Sequence, residues 1–214
     1  MRYIAALDYE HLDNGVFLTS LARSVAQQKN VRSIIVHGDS AYTERIMQTG
    51  VMRDEARIRS IKDLNHRLIA LFADQGISAI GINGHQRKFI TINDNQLSLD
   101  ASFFERLADQ SVLLLSTLVL DLKSTLPEPI ELPRMASFLQ SELKAEAIFS
   151  FSKSDKDELL VKNNPGQLDW NNLPKGFAKE HLPAEFQHFD RPLRLAGARN
   201  FHQPAKANHS ILIR

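Results

Sequence analysis

Short apolar runs alternate with stretches of helical periodicity along the first part of the chain. Residues 3–7 and 31–36 form apolar runs typical of buried strands, and the second is rich in β-branched residues. Apolar residues recur at helical spacing over residues 17–25, behind capping residues at Asp13 and Asn14. A short helix is predicted around residues 43–47. The chain therefore begins as strand, helix, strand and helix.

The strongest periodic signal predicts a long amphipathic helix over residues 54–74, ended by Gly76. Its apolar residues recur every three or four positions, at Ile58, Ile61, Leu64, Leu68 and Leu71. Such a stripe covers one face of a helix, so we expect this helix to pack along a sheet.

The alternation continues as far as Lys153. Strands are predicted at residues 77–82, 112–120 and 147–151, one arm of a hairpin at residues 88–92, and helices at residues 98–108 and 135–143. Beyond Lys153 the sequence is rich in Asn, Pro and Gly until a terminal strand at residues 210–213. Strands alternating with helices at this spacing predict a three-layer α/β/α sandwich around a mainly parallel sheet.

Composition limits the chemistry that this fold can carry. The chain has 214 residues, of which 43% are hydrophobic, and no cysteine, which excludes disulfides and thiolate sites. A formal net charge of +1 gives no electrostatic reason to expect nucleic acid or an anionic membrane as a partner. The N-terminal apolar run is too short for a signal peptide, and no stretch has the length of a membrane helix. We therefore predict a cytoplasmic protein.

Two predicted strands end in glycine turns, at residues 33–41 and 79–85. In an open parallel sheet, ligands bind at the carboxyl ends of the strands, where glycine lets backbone amides approach an anion. Either turn alone is weak evidence, because most glycine turns after strands only connect two elements. Their order, with the long helix between them, carries more information.

This order resembles the acetylglutamate kinase family and the related LysW-type aminoadipate kinases. Those proteins carry a V-H-G-G-G/S turn, an N-K-x-L helix and an A-x-G-L-S-G strand end. The corresponding segments here are residues 36–40 (VHGDS), 65–68 (NHRL) and 79–84 (AIGING). Residues 143–149 more faintly resemble the family's L-G-A-E-x-L-I-F segment. The resemblance implies the amino-acid-kinase fold and a pocket for a small carboxylate ligand, such as an acylated amino acid.

The resemblance also implies which residues line that pocket. In the family, the H-G-G turn binds the reacting carboxylate of the substrate through backbone N–H groups, and the G-L-S-G strand end lines the same pocket. The corresponding candidates are Gly38, Asp39, Ser40, Gly81, Asn83 and Gly84. An arginine after the turn holds the substrate's α-carboxylate in the family. Arg53 and Arg57 are both candidates for it, and the alternative is that they are solvated helix charges.

The chain departs from the family in the motifs that handle phosphate. The family opens with K-x-G-G, whereas the matching residues 5–9 contain Asp8 and no lysine, and a carboxylate there would repel a triphosphate. Asp39 replaces the second glycine of the H-G-G turn. The N-x-N-A-D and T-D-V motifs are also missing. We interpret residues 1–214 as one domain, with a substrate-lobe-like part at 1–150 and a reduced or rebuilt nucleotide lobe at 151–214.

Two main function hypotheses follow. The first is a divergent acetylglutamate-kinase-like protein that binds a small carboxylate ligand, with lost or altered kinase activity, as a homo-oligomer of dimer type. The second is an active kinase of the arginine-biosynthesis type, which transfers the γ-phosphoryl group of ATP, with Mg²⁺, to a side-chain carboxylate. Asp8, Lys153, Lys156 and Lys175 are weak candidates for its nucleotide site, and no catalytic residue is assigned.

A minor alternative is an esterase of the G-D-S type. Ser40 would be its nucleophile, with Gly81 and Asn83 as oxyanion donors. Such esterases need a D-x-x-H segment near the C-terminus, whereas the one at residues 63–66 lies in the middle of the chain. The eight histidines are scattered and form no H-E-x-x-H motif, so we predict no metal site.

Overall fold

The computed structural model describes residues 1–29, 31–40, 53–106, 111–153, 160, 162–204, 206 and 209–214, with only the backbone described for Arg32 and Arg53. The helix predicted at residues 43–47 lies outside the described residues. The helices are α1 (Tyr9–Leu12), α2 (Gly15–Ala26), α3 (Arg53–Asp74), α4 (Ala101–Glu105), α5 (Leu132–Glu142) and α6 (Phe177–His181). No helix among the described residues combines the length and the apolarity needed to cross a membrane.

The strands form two sheets. In chain order they are β1 (Arg2–Leu7), β2 (Arg32–His37), β3 (Ala79–Asn83), β4 (Ile90–Asn93), β5 (Gln96–Leu99), β6 (Val112–Ser116), β7 (Leu118–Asp121), β8 (Pro127–Pro129), β9 (Ala147–Phe151), β10 (Gln167–Leu168), β11 (Leu193–Ala196) and β12 (Ser210–Ile213). The larger sheet has the order β10-β12-β11-β9-β1-β2-β6-β3, and the smaller one β5-β4-β7-β8. In the larger sheet only the β11–β12 pair is antiparallel.

Helices cover both faces of the larger sheet, and the inner strands are therefore buried on both sides. Along β1, Tyr3, Ala5 and Leu7 face a core that also contains apolar residues of α2 and α3. Ile4 and Ala6 face the opposite core, which contains apolar residues of α5 and α6. The predicted three-layer α/β/α class with a mainly parallel sheet is confirmed.

The sequence pattern places one element boundary wrongly. Residues 112–120 were expected to form a single strand, but the run divides into β6 of the larger sheet and β7 of the smaller one. Between them, Thr117 donates its backbone N–H to the His37 carbonyl and accepts from the N–H of Ile130, so the chain turns there. Apolar side chains on both sides of the turn are buried, which hides it from a periodicity argument.

Two further boundaries also differ from the sequence pattern. The segment 98–108 begins as the end of β5, and its helical part, α4, covers Ala101–Glu105. The region between Lys153 and residue 210 is not only loops, since it supplies β10 and β11 to the larger sheet, next to the terminal strand β12, which was predicted at residues 210–213. The division of the chain at residue 150 into two functional parts stays a prediction.

Candidate binding site at the strand ends

The carboxyl ends of β1, β2, β6 and β3 lie level with one another. Leu7 pairs with His37, and both His37 and Asn83 pair with Ser116 across the parallel ladders. The residues that follow these positions therefore share one edge of the sheet. This edge is where open α/β sheets bind their ligands.

The turn after β2 forms the centre of the candidate site. Asp39 accepts a hydrogen bond from the backbone N–H of Ser40 at 2.9 Å, and Arg57 Nε of α3 donates to its other carboxylate oxygen at 3.1 Å. A Cβ atom on Gly38 would lie 3.5 Å from the Thr117 hydroxyl, so that hydroxyl adjoins the turn. Of the two arginine candidates, Arg57 thus contacts the turn, whereas the side chain of Arg53 lies outside the description.

The second glycine segment is constrained by packing. A Cβ on Gly81 would lie 2.2 Å from Ile69 and 2.4 Å from Asn65, so glycine lets α3 approach β3 closely. A Cβ on Gly84 would lie 2.5 Å from the backbone oxygen of Leu118, which leaves no room for a side chain. Packing therefore explains both glycines, and their contact with a ligand stays a prediction.

Asn83, at the end of β3, has a polar atom without a partner. The residue is 4% exposed, and its Oδ1 has no hydrogen-bond partner among the described residues. Its backbone N–H binds Gln86 Oε1 at 3.1 Å. Buried polar side-chain atoms are usually paired, so this unpaired acceptor among the described residues is unusual.

His37 is held as a neutral side chain beneath the turn. Its Nδ1 donates to the Gly38 carbonyl at 3.1 Å, and its Nε2 accepts from Asn65 Nδ2 at 3.0 Å. The ring is fully buried, and this desolvation lowers the pKa of His37 to about 4. Asn65 also donates to the carbonyls of Leu114 at 3.2 Å and Ile82 at 3.4 Å, and so connects α3 to β2, β3 and β6.

A pair of carboxyl groups lies at the end of β1. Asp8 is fully buried, caps α1 by accepting from the N–H of Glu10 at 2.8 Å, and hydrogen-bonds to the side chain of Glu185. Burial raises the pKa of Asp8, and burial together with the Asp8 charge raises the pKa of Glu185 to about 8. Leu7 pairs with His37, so Asp8 and Gly38 follow neighbouring strand ends, and the charge of Arg57 acts to lower the pKa of Glu185.

The lysine candidates differ in position. Lys153 lies two residues after β9 and forms a 3.5 Å ion pair with Glu10, which lies two residues after Asp8. Lys175 is exposed in the turn before α6 and forms no ion pair with another described residue. Lys156 lies outside the described residues. Only Lys153 is thus placed next to the strand ends.

The residues at the end of β1 do not suit a triphosphate. Phosphoryl groups need cations and backbone donors aimed at them, whereas Asp8 and Glu185 present acidic groups that already accept backbone N–H groups. The described residues also contain no cluster of three or more His, Asp or Glu side chains that could hold a metal ion. The geometry therefore separates the Asp39–Arg57 turn at β2 from an acidic strand end at β1.

The geometry does not favour the esterase alternative. His37, three residues before Ser40, uses both ring nitrogens in buried hydrogen bonds, and the Asn83 N–H is taken by Gln86. A further D-x-x-H segment lies at residues 8–11, far from the C-terminal position that the esterases require, and its His11 Nε2 bonds to the Ser152 carbonyl at 2.9 Å.

Sequence reasoning did not name Thr117 or Glu185 as site residues, and it gave Asn65 only as part of the 65–68 segment, without a role. Asn65 could have been found, because it is a polar residue on the apolar face between Leu64 and Leu68 of the long helix. Thr117 was hidden inside an apolar run. Glu185 gave no signal, because it lies in a short 3-10 turn far along the chain from β1.

Comparison with known proteins assigns the fold. No protein-family model matches the sequence, and no match is found among curated proteins. Among solved structures, E. coli aspartokinase III in complex with lysine and aspartate is similar, with a TM-score of 0.67, 11% identity and coverage of 99% of this chain and 64% of that one.

Two other structures cover nearly all of this chain. N-acetylglutamate synthase from Neisseria gonorrhoeae, complexed with coenzyme A and L-arginine, has a TM-score of 0.65 at 12% identity, over 99% of this chain and 61% of that one. The product complex of T. acidophilum isopentenyl phosphate kinase has a TM-score of 0.60 at 12% identity, over 100% of both chains. The chain thus spans about three fifths of the synthase and the whole length of the smaller kinase.

These similarities define the class of the protein by its fold. The chain has the amino-acid-kinase fold. This α/β fold is shared by aspartokinase III, isopentenyl phosphate kinase and N-acetylglutamate synthase. At these identities the comparison assigns the fold alone.

Proposed function

We propose that this chain is a divergent, acetylglutamate-kinase-like protein that binds a small carboxylate ligand at its strand ends and does not transfer a phosphoryl group. The single observation that carries the proposal is the acidic pair of Asp8 and Glu185 at the end of β1. Cations stabilise a transferring phosphoryl group, and a buried carboxyl pair in the same place repels it.

The carboxylate would bind between the Gly38 turn and Arg57. Arg57 bonds to Asp39 through Nε alone, and its side chain is 45% exposed, so further guanidinium donors are available for a ligand. The Thr117 hydroxyl adjoins the same turn. Arg57 also lines a cleft of about 890 Å³ between α3 and the β7–β8 connection, which is large enough for a small molecule.

An acylated amino acid would also offer a hydrogen-bond donor to Asn83, the other polar residue at the strand ends. The unpartnered Oδ1 of Asn83 would accept the N–H of an acyl amide. Because β6 separates β2 from β3, Asn83 and the Gly38 turn lie about 10 Å apart at ordinary strand spacing. A ligand with a carboxylate at one end and an amide further along spans this separation.

Calorimetric titration with N-acetylglutamate tests the carboxylate site. We expect the wild-type protein to bind, and Arg57→Gln to weaken binding by about 10- to 100-fold, since a charged hydrogen bond contributes about 1.5–3 kcal/mol. Arg106→Gln removes the same charge from the end of α4 and should bind like the wild type. Equal affinities for all three proteins would contradict the assignment of Arg57.

An active kinase is the second candidate, and the position of Lys153 favours it. Lys153 lies at the end of β9, beside β1, where it could replace a missing phosphate ligand. This function predicts ATP binding that Lys153→Ala abolishes, whereas the first proposal predicts no ATP binding to either protein. A homodimer and a cytoplasmic location also stay proposals, to be checked by size measurement in solution and by localisation of the tagged protein.

A further inference from the structure

A short 3-10 turn in the C-terminal region contacts the end of β1 through both the side chain and the backbone of Glu185. The 3-10 turn Ala184–Phe186 places the N–H of Glu185 at 3.3 Å from Asp8 Oδ2. In return, the N–H of Tyr9 donates to the Glu185 carboxyl group, and the two carboxyl groups hydrogen-bond to each other. We call Asp8 and Glu185 the carboxyl latch.

The latch connects parts of the chain that are distant in sequence. Asp8 ends β1 at the centre of the sheet and caps α1, while Glu185 belongs to the segment after α6. Asp8 is fully buried, whereas Glu185 is partly exposed and flanked by the exposed Ala184. Water can therefore reach the Glu185 side of the pair when the turn moves outward.

Two carboxyl groups can hydrogen-bond to each other only while one of them keeps a proton. Burial raises the pKa of both groups, that of Glu185 to about 8 from its ordinary value of 4.5. The pair therefore retains one shared proton at neutral pH, and the titration belongs to the pair. When that proton leaves, two adjacent carboxylates repel each other in a poorly solvated place.

The charged groups around the latch act in both directions. Glu10 in α1 raises the pKa of Asp8, and His11 in the same helix lowers it. Arg57 of α3 lowers the pKa of Glu185. The side chain of Lys153 forms an ion pair with Glu10, and the backbone N–H of Lys153 donates to the His181 carbonyl. None of these groups forms an ion pair with the latch among the described residues, so the two sides are joined by the shared proton and by the backbone N–H groups of Tyr9 and Glu185.

We propose that the carboxyl latch is a pH-sensitive device, which holds the Glu185 end of the Ala184–Phe186 turn against the strand ends while it keeps its proton and releases Glu185 from Asp8 when the proton is lost. This inference does not depend on which ligand the edge binds. It predicts that the end of β1 becomes more accessible on the alkaline side of neutrality.

Proton linkage gives the direction and the size of the pH effect on the opening of the latch. The closed latch binds one proton more than the open one between the ordinary and the raised pKa of Glu185, so raising the pH favours opening in that window. The opening equilibrium increases by up to about tenfold per pH unit and levels off above about pH 8. Opening here means that Glu185 and the adjoining Ala184 move away from Asp8, while Phe186, at the other end of the turn, stays fully buried in the core.

Amide hydrogen exchange of the full chain between pH 6 and pH 9 tests the latch. After correction for the intrinsic pH dependence of exchange, the Tyr9 and Glu185 amides should lose protection by up to about tenfold per unit until about pH 8. Glu185→Gln keeps the shape and a donor to Asp8 without a titrating proton, so its protection should not change with pH. Glu180→Gln alters an exposed carboxylate of α6 and should behave like the wild type.

The outcomes separate the latch from other titrating groups. A pH dependence that persists in Glu185→Gln would assign it to the nearby histidines and overturn the proposal, as would flat protection in the wild type. If Glu185→Gln fails to fold, infrared spectra of the wild type replace it. They should show the C=O stretch of a protonated carboxyl group at pH 6.5 and its loss by pH 9, and absence of that band at pH 6.5 would also overturn the proposal.

Discussion

Asn65→Ala tests whether the amide of Asn65 holds the strand ends of the larger sheet together. The substitution keeps the helical backbone of α3 and the close approach at Gly81. It removes donors to His37 Nε2, the Leu114 carbonyl and the Ile82 carbonyl, at 3.0, 3.2 and 3.4 Å. We therefore expect a loss of stability without a change of fold.

The size of the loss follows from the burial of these groups. His37 is 0% exposed, so its Nε2 would be left unpaired away from water, at a cost of about 1–3 kcal/mol. The lost hydrogen bonds to the two carbonyls add about 1 kcal/mol more, because the carbonyls keep other partners in the sheet. We expect the free energy of unfolding to fall by about 2–4 kcal/mol in total.

Urea unfolding, followed by far-ultraviolet circular dichroism, measures this change. The urea midpoint should fall while the dependence of the unfolding free energy on urea stays the same. His66→Ala, at the next position on the exposed face of α3, is the matched control and should change the free energy by less than about 0.5 kcal/mol. A loss below that value for Asn65→Ala would refute the view that this amide connects α3 to the strand ends.

Two further predictions concern the same edge. Gly81→Ala should destabilise the protein by about 1–3 kcal/mol in urea unfolding, because its Cβ would lie 2.2 Å from Ile69, whereas Gly15→Ala, with open space around it, should cost nothing measurable. His37 has a pKa lowered to about 4 from 6.5, so the folded state resists its protonation. Stability from this group is present above pH 6.5 and is lost as the pH falls toward 4, by up to about 3 kcal/mol. The difference in unfolding free energy between the wild type and His37→Gln should therefore shrink over that range, and a constant difference would contradict this account.

The layers of the fold could be predicted because they follow from local patterns. The helix α3 shows an apolar stripe of helical period over several turns. The strands β1, β2 and β9 show short, nearly continuous apolar runs, which are typical of buried strands. The break at Thr117 was hard to predict, because its local signal is the polar pair Ser116–Thr117, which is buried between the apolar residues 112–115 and 118–119. Without glycine or proline, such a pair is a weak signal for a turn.

The site could be predicted only where its residues are close in sequence. The Gly38 turn was found because the strand, the turn and the helix follow one another, and Arg57 was one of two arginines in reach. The partner of Asp8 could not be found, because Glu185 reaches it through the packing of a distant turn. The sequence predicted that the charge of Asp8 would oppose a phosphate group, but it did not predict that Asp8 is paired with Glu185.

Paired calorimetric titrations test the central claim most directly. Magnesium-ATP is titrated into the purified protein, first alone and then in the presence of N-acetylglutamate, and N-acetylglutamate is titrated alone. The acidic pair at the end of β1 and the Arg57 turn at β2 predict heat from the acyl amino acid and none from the nucleotide. Micromolar binding of ATP, with or without the acyl amino acid, would contradict the proposal of a carboxylate-binding protein that does not transfer phosphate.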